Sequence, residues 1–102
     1  MARRLVYTPA AERDFANLYA YLRDQNRDPT IAANYTRRIR ARCDSLVDFP
    51  EQGTRRDDIA EGIRTFGFER RVRILFRVRA KTVEIVRVLY GGRSLGSKPI
   101  EH

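Results

Sequence analysis

One stretch limits the possible folds more than any other: Arg70-Arg71-Val72-Arg73-Ile74-Leu75-Phe76-Arg77-Val78-Arg79. Val72, Ile74, Phe76 and Val78 alternate with Arg71, Arg73, Arg77 and Arg79, with Leu75 between them. Successive side chains of a strand point to opposite sides of its sheet. A period of two therefore predicts a half-buried strand, one side packed on a core and the other carrying guanidinium groups. Neighbouring cations repel, so a strand of this kind is expected to meet an acidic counterpart.

The remaining elements follow from local signals. Residues 3–7 read as a first strand, with Leu5 and Tyr7 on one face. Thr8-Pro9 is a helix start, with Thr as N-cap and Pro at the first helical position. Phe15, Leu18, Tyr19 and Leu22 then recur at helical spacing as far as Asp24-Gln25-Asn26. Asp28-Pro29 repeats the start signal. Ile31, Ala32, Tyr35, Ile39, Cys43 and Leu46 predict a second helix from Pro29 to about Asp48. Arg37, Arg38, Arg40 and Arg42 lie off that stripe and read as a solvated face. So short a connection predicts an antiparallel helical hairpin. After the loop at Phe49-Pro50-Glu51-Gln52-Gly53, Ile63–Glu69 is a second strand and the arginine stretch a third. Thr82–Tyr90, apolar on both faces, is a fourth and central one. The expected fold is α+β: an N-terminal strand, an antiparallel helical hairpin, then a three-stranded antiparallel meander. All 102 residues fit one domain.

Charge is unevenly placed. Residues 1–62 hold 11 arginines against 10 acids, whereas residues 63–98 hold 10 cations against Glu69 and Glu84. The net charge of +8 thus belongs to the C-terminal part, and it attracts polyanions such as nucleic acid, the ribosome or an acidic protein. The single cysteine, Cys43, excludes an internal disulfide and a cysteine-cluster metal site. It reads as a small core residue, and a cytoplasmic location is expected. No apolar run is long enough to span a membrane, so no membrane partner is expected.

Chemistry is sparse. The only histidine is His102, which argues against histidine-based nucleophilic or acid–base machinery. There is no metal-ligand spacing, P-loop or dinucleotide fingerprint, so neither metal nor cofactor is expected. Asp57-Asp58 reads as a pair of solvated loop acids. Arginine and tyrosine remain. Clustered arginines can bind phosphate and stabilise a phosphoryl transition state. Tyr90, near Arg93, is the aromatic best placed to accompany them.

Several pieces resemble the ParE/RelE superfamily of bacterial type II toxins. They are Thr8-Pro9-Ala10-Ala11-Glu12-Arg13-Asp14-Phe15, Tyr19-Ala20-Tyr21-Leu22, Leu46-Val47-Asp48-Phe49-Pro50-Glu51-Gln52-Gly53, Gly62-Ile63-Arg64, Arg73–Val78 and Val83–Gly91. They occur in order over nearly the whole chain. The resemblance implies the RelE/ParE-like fold and a cognate antitoxin, whose acidic, partly disordered segment folds on binding as a helix and an added strand. It also implies one of two targets. RelE-like members cleave messenger RNA on the ribosome; ParE-like members are known chiefly for inhibiting DNA gyrase. For a ribonuclease the carried-over positions are Arg64, Arg73 and Arg93, with Tyr90 in proton transfer. The second basic position of strand two falls near Phe66, and the tail after Gly92 has no tyrosine. Those departures, the long hairpin and Gly62-Ile63-Arg64 favour the ParE-like branch, an inhibitor rather than a catalyst. Many ParE-like sequences carry histidine where this one has Tyr90. Arg64, Arg71, Arg73, Arg77, Arg79, Arg93 and Tyr21 are the expected antitoxin- or target-binding residues. A basic binding module without toxicity is the third reading.

Overall fold

A computed structural model describes residues 3–26 and 28–91. The elements are β1 (Arg4–Tyr7), α1 (Pro9–Asn26), α2 (Pro29–Asp44) with a 3-10 turn at Ser45–Val47, β2 (Thr54–Arg55), β3 (Ile63–Phe68), β4 (Val72–Val78) and β5 (Thr82–Tyr90). They form one five-stranded sheet in the order β1-β5-β4-β3-β2. The expected meander is β3-β4-β5, antiparallel throughout. β1 joins it parallel to β5. The two-residue β2, absent from the sequence reading, extends the other edge.

Both helix starts are capped as their sequences predict. Thr8 Oγ1 accepts the Ala11 N–H at 3.0 Å and donates to the Val86 carbonyl at 2.8 Å, tying the start of α1 to β5. Asp28 accepts the Thr30 N–H at 2.9 Å, ahead of Pro29. The core lies between the hairpin and one sheet face. Ala11, Phe15, Leu18 and Leu22 of α1 and Ala32, Ile39 and Cys43 of α2 meet Phe66, Val72, Ile74, Phe76, Val83, Ile85 and Val88. Ile31, placed on the apolar stripe by its spacing, is 47% exposed at the start of α2. Arg38, Arg40 and Arg42 are not simply solvated either. Each guanidinium lies over aromatic rings: Arg38 over Tyr35 and Phe68, Arg40 over Tyr7 and Phe15, Arg42 over Phe66. Long stems cover apolar surface while their heads reach water.

Two details of β4 depart from simple alternation. Leu75, on the arginine side, is buried to 1% exposure, so the cationic row is interrupted in the middle. Pairing to β5 also slips by one residue. Leu75 faces Arg87 and Phe76 faces Ile85, which leaves Val86 as a bulge.

The three-residue β3–β4 connection, Glu69–Arg71, turns through Glu69 and Arg70, both at positive φ, 53° and 63°, with the Arg71 N–H donating to the Phe68 carbonyl. Such a turn ordinarily takes Asn-Gly or a similar pair, and here a side chain is held in the left-handed region at each position. Arg70→Gly is expected to stabilise the protein by about 0.5–1 kcal/mol, since relief of a 1–2 kcal/mol penalty exceeds the entropic cost of glycine. A rise in the urea midpoint at unchanged m-value is the measurement.

Candidate partner-binding site

Beyond Ile85 the outer edge of β5 no longer has β1 beside it. The first helix takes its place. Asp14 Oδ2 accepts the Val88 N–H at 2.8 Å, as a neighbouring strand's carbonyl would. The same carboxylate accepts from Arg87 Nε and Nη2, at 2.7 and 2.9 Å. One turn further along α1, Asn17, Leu18 and Tyr21 stand across from Val88–Gly91. Between them runs a cleft of about 550 Å³. Asp14, Asn17, Leu18 and Tyr21 recur at i, i+3, i+4 and i+7, so one helix face supplies that wall.

The mouth of the cleft is aromatic and basic. Tyr21, 49% exposed, packs its ring 5.4 Å from that of Tyr90. Tyr35 lies edge-on to Tyr90 and to Phe68. Its hydroxyl is buried and meets no hydrogen-bond partner among the described residues, and burial pushes its phenol above the ordinary tyrosine range. Arg71 reaches the Tyr90 hydroxyl at 3.5 Å. Arg38, above Tyr35, is bonded to Glu69 of the turn. This combination can grip a segment with apolar anchors and acidic flanks. It supplies an edge strand, a stacked aromatic wall and cations at the rim.

The other sequence-predicted residues are dispersed. Arg64 pairs with Phe76, which places it on the helix side of the sheet. Its guanidinium is committed to the loop after α2, donating to Gln52 O at 3.1 Å and Glu51 O at 2.8 Å. Arg73 lies on the opposite face, against Gly67 of β3. Arg77 and Arg79 share that face and converge on Glu84 at 3.8 and 3.6 Å. Tyr90 is on the helix side, but at the far end from Arg64. Four residues along β4 and two strand spacings separate them, roughly 16 Å between Cα atoms. Arg93 lies outside the described residues. Of the candidates, the structure brings together Tyr21, Arg71 and Tyr90. Sequence reasoning missed Asp14, Arg87, Tyr35 and Arg38 as part of this region, although the helical spacing from Asp14 to Tyr21 was there to be read. Cys43 is fully buried in the core, and its thiol is pushed up to about 12, chiefly by burial, which keeps it protonated and unreactive. Among the described residues, no group of three or more His, Cys, Asp or Glu could hold a metal ion. No described helix is long and apolar enough to cross a membrane.

The family described as ParE toxin of type II toxin-antitoxin system, parDE, matches residues 5–95. Among solved structures, the chain is similar to one from the chromosomal ParDE toxin–antitoxin system of P. aeruginosa. That likeness has 26% identity, covers 87% of this chain and 96% of the other, and has a TM-score of 0.76. A chain from the RelBE2 toxin–antitoxin complex of Mycobacterium tuberculosis shares the fold at 22% identity, covering 89% of this chain and 100% of the other, with a TM-score of 0.59. No curated protein matches.

Proposed function

The chain belongs to the family of ParE toxins of type II toxin–antitoxin systems, and from that premise we propose that it acts by binding, as an inhibitor of DNA gyrase. A cognate antitoxin neutralises it. The α1–β5 cleft receives the antitoxin, whose folding segment seats apolar side chains against Tyr21 and Tyr90 and acidic ones near Arg71. The solved relative of higher identity is itself part of a ParDE system, which supports an antitoxin as partner.

One observation carries the choice of binding over catalysis. A ribonuclease site needs its phosphate-binding and proton-transfer groups within hydrogen-bond reach of one reacting centre. Here Arg64, Arg73 and Tyr90 occupy two faces and two ends of the sheet, and the Arg64 guanidinium is already bonded to loop carbonyls.

The test is supercoiling by purified gyrase in vitro. The toxin is expected to block it, and Tyr90→Phe to block it equally, because the phenol hydroxyl takes no part in chemistry. Full supercoiling at excess toxin would sink the gyrase reading. Messenger RNA cleaved on ribosomes, with cleavage lost in Tyr90→Phe, would replace it with the ribonuclease reading. Induced expression without the antitoxin that leaves growth unaffected would point to a binding module without toxicity.

A further inference from the structure

The sheet face turned away from the helices has a different character from the cleft. By register it carries Arg4, Arg73, Arg77 and Arg87, with Arg79 just past β4 reaching Glu84, and Glu84 is the only acid among its described strand residues. Arg87 leaves it at the sheet edge to pair with Asp14, and on the helix side Arg38 pairs with Glu69 and Arg40 with Glu12. Two glycines shape how the open-face arginines lie. A Cβ at Gly67 would sit 3.4 Å from Arg73 Nη1, and one at Gly62 would sit 3.8 Å from Arg77 Cγ and Nε. Both side chains therefore lie low across β3. They form a broad, shallow cationic surface rather than separate projecting arms.

The apolar floor beneath is closed. Leu75, Ile63 and Thr65 belong to this face by pairing and are 1%, 2% and 4% exposed. The exposed large apolar side chains among the described residues, Tyr21, Ile31 and Phe49, belong to the helices and the turn after α2. A folding peptide needs apolar anchors in pockets, and the α1–β5 cleft offers them while this face does not. A phosphate backbone needs none; cations in a row suffice. We infer that the open face binds the phosphate backbone of duplex DNA without sequence preference, as a second surface separate from the antitoxin cleft. This goes beyond the gyrase reading and does not depend on it. A toxin with both surfaces could hold DNA while its cleft engages a protein.

The experiment uses the purified full chain and a labelled duplex of about 20 base pairs, titrated between about 50 and 200 mM salt. Arg73→Ala/Arg79→Ala is compared with Arg13→Ala/Arg37→Ala, a double substitution of exposed helix residues with the same loss of charge. The open-face variant is expected to bind at least tenfold more weakly. Its log K against log salt slope should fall by about 1.8, or about 0.9 for each lost phosphate contact. The helix variant should stay within about twofold of the parent and keep its slope. Equal losses in the two variants would reduce the effect to net charge and overturn the proposal. So would a polyglutamate peptide that binds the open face as tightly as the duplex, which would make an acidic protein segment its partner. Gyrase is absent from the assay, so failure here and failure of the gyrase reading are separate results.

Discussion

Asp14→Ala lowers the stability of this protein by about 3 kcal/mol, the expected cost of stripping a largely buried carboxylate from charged and backbone partners together. The Asp14 side chain is 11% exposed. It satisfies a strand-edge N–H that no other described strand reaches, and it holds Nε and Nη2 of Arg87. Alanine leaves the Val88 N–H without its acceptor and Arg87 without its counter-charge. Asp14→Asn keeps an acceptor for Val88 but not the charge, so about half of the loss is expected. Urea unfolding of the three proteins measures both steps. Equal stability of Asp14→Ala and the parent would show that the helix does not serve as a substitute strand. Because this carboxylate also lines the cleft, Asp14→Ala should weaken antitoxin binding as well.

Gly53→Ala is expected to cost about 3 kcal/mol, made up of a left-handed backbone penalty and a backbone clash. Gly53 has φ +81° and lies where β2 begins to pair with β3. A Cβ there would stand 2.5 Å from the Thr65 carbonyl oxygen, and strand backbone cannot move aside cheaply. Gly62 separates the two contributions. Its φ is also +81°, but an added Cβ would meet only the Arg77 side chain, at 3.8 Å. Gly62→Ala should therefore show the conformational penalty alone, about 1 kcal/mol. The difference in urea midpoints isolates the clash. Loss of amide protection at Arg56, whose N–H is bonded to the Ile63 carbonyl, would show that the strain is relieved by releasing β2. Equal costs at the two positions would refute the steric assignment.

Most of the secondary structure was legible because it is written in short-range periodicity. Thr8-Pro9 and Asp28-Pro29 announced both helices, period-two runs announced β3 and β4, and a β-branched run apolar on both faces announced β5. What escaped is non-local or depends on where side chains end. Thr54-Arg55 is too short to show any period. Leu75 breaks the arginine row, yet its burial depends on the surrounding tertiary structure. The bulge at Val86 leaves no mark in an apolar run. Glu69-Arg70 turns the chain without the glycine or asparagine that normally signals such a turn. At the candidate site, spacing identified Tyr21 as lying off the core stripe and Tyr90 as ending a strand. It could not show that their rings meet. Nor could it show that Arg71 curls towards Tyr90, or that Arg64 binds carbonyls instead of a ligand. Like residue types on adjacent strands suggested one basic site; pairing register divides them between two faces.

The pairing of β1 with β5 also has a consequence for synthesis. Thr8 is bonded to Val86, 78 residues away in the chain, and Arg4 pairs with Thr82. A nascent chain emerges N-terminus first, so β1 and the start of α1 must wait for β5 before they can dock. The cleft is delayed with them, because one wall is α1 and the other is the end of β5. A ribosome-bound or truncated product lacking β5 has neither the completed sheet nor the binding cleft. The order in which the chain is made thus keeps the toxin incomplete until β5 has been synthesised.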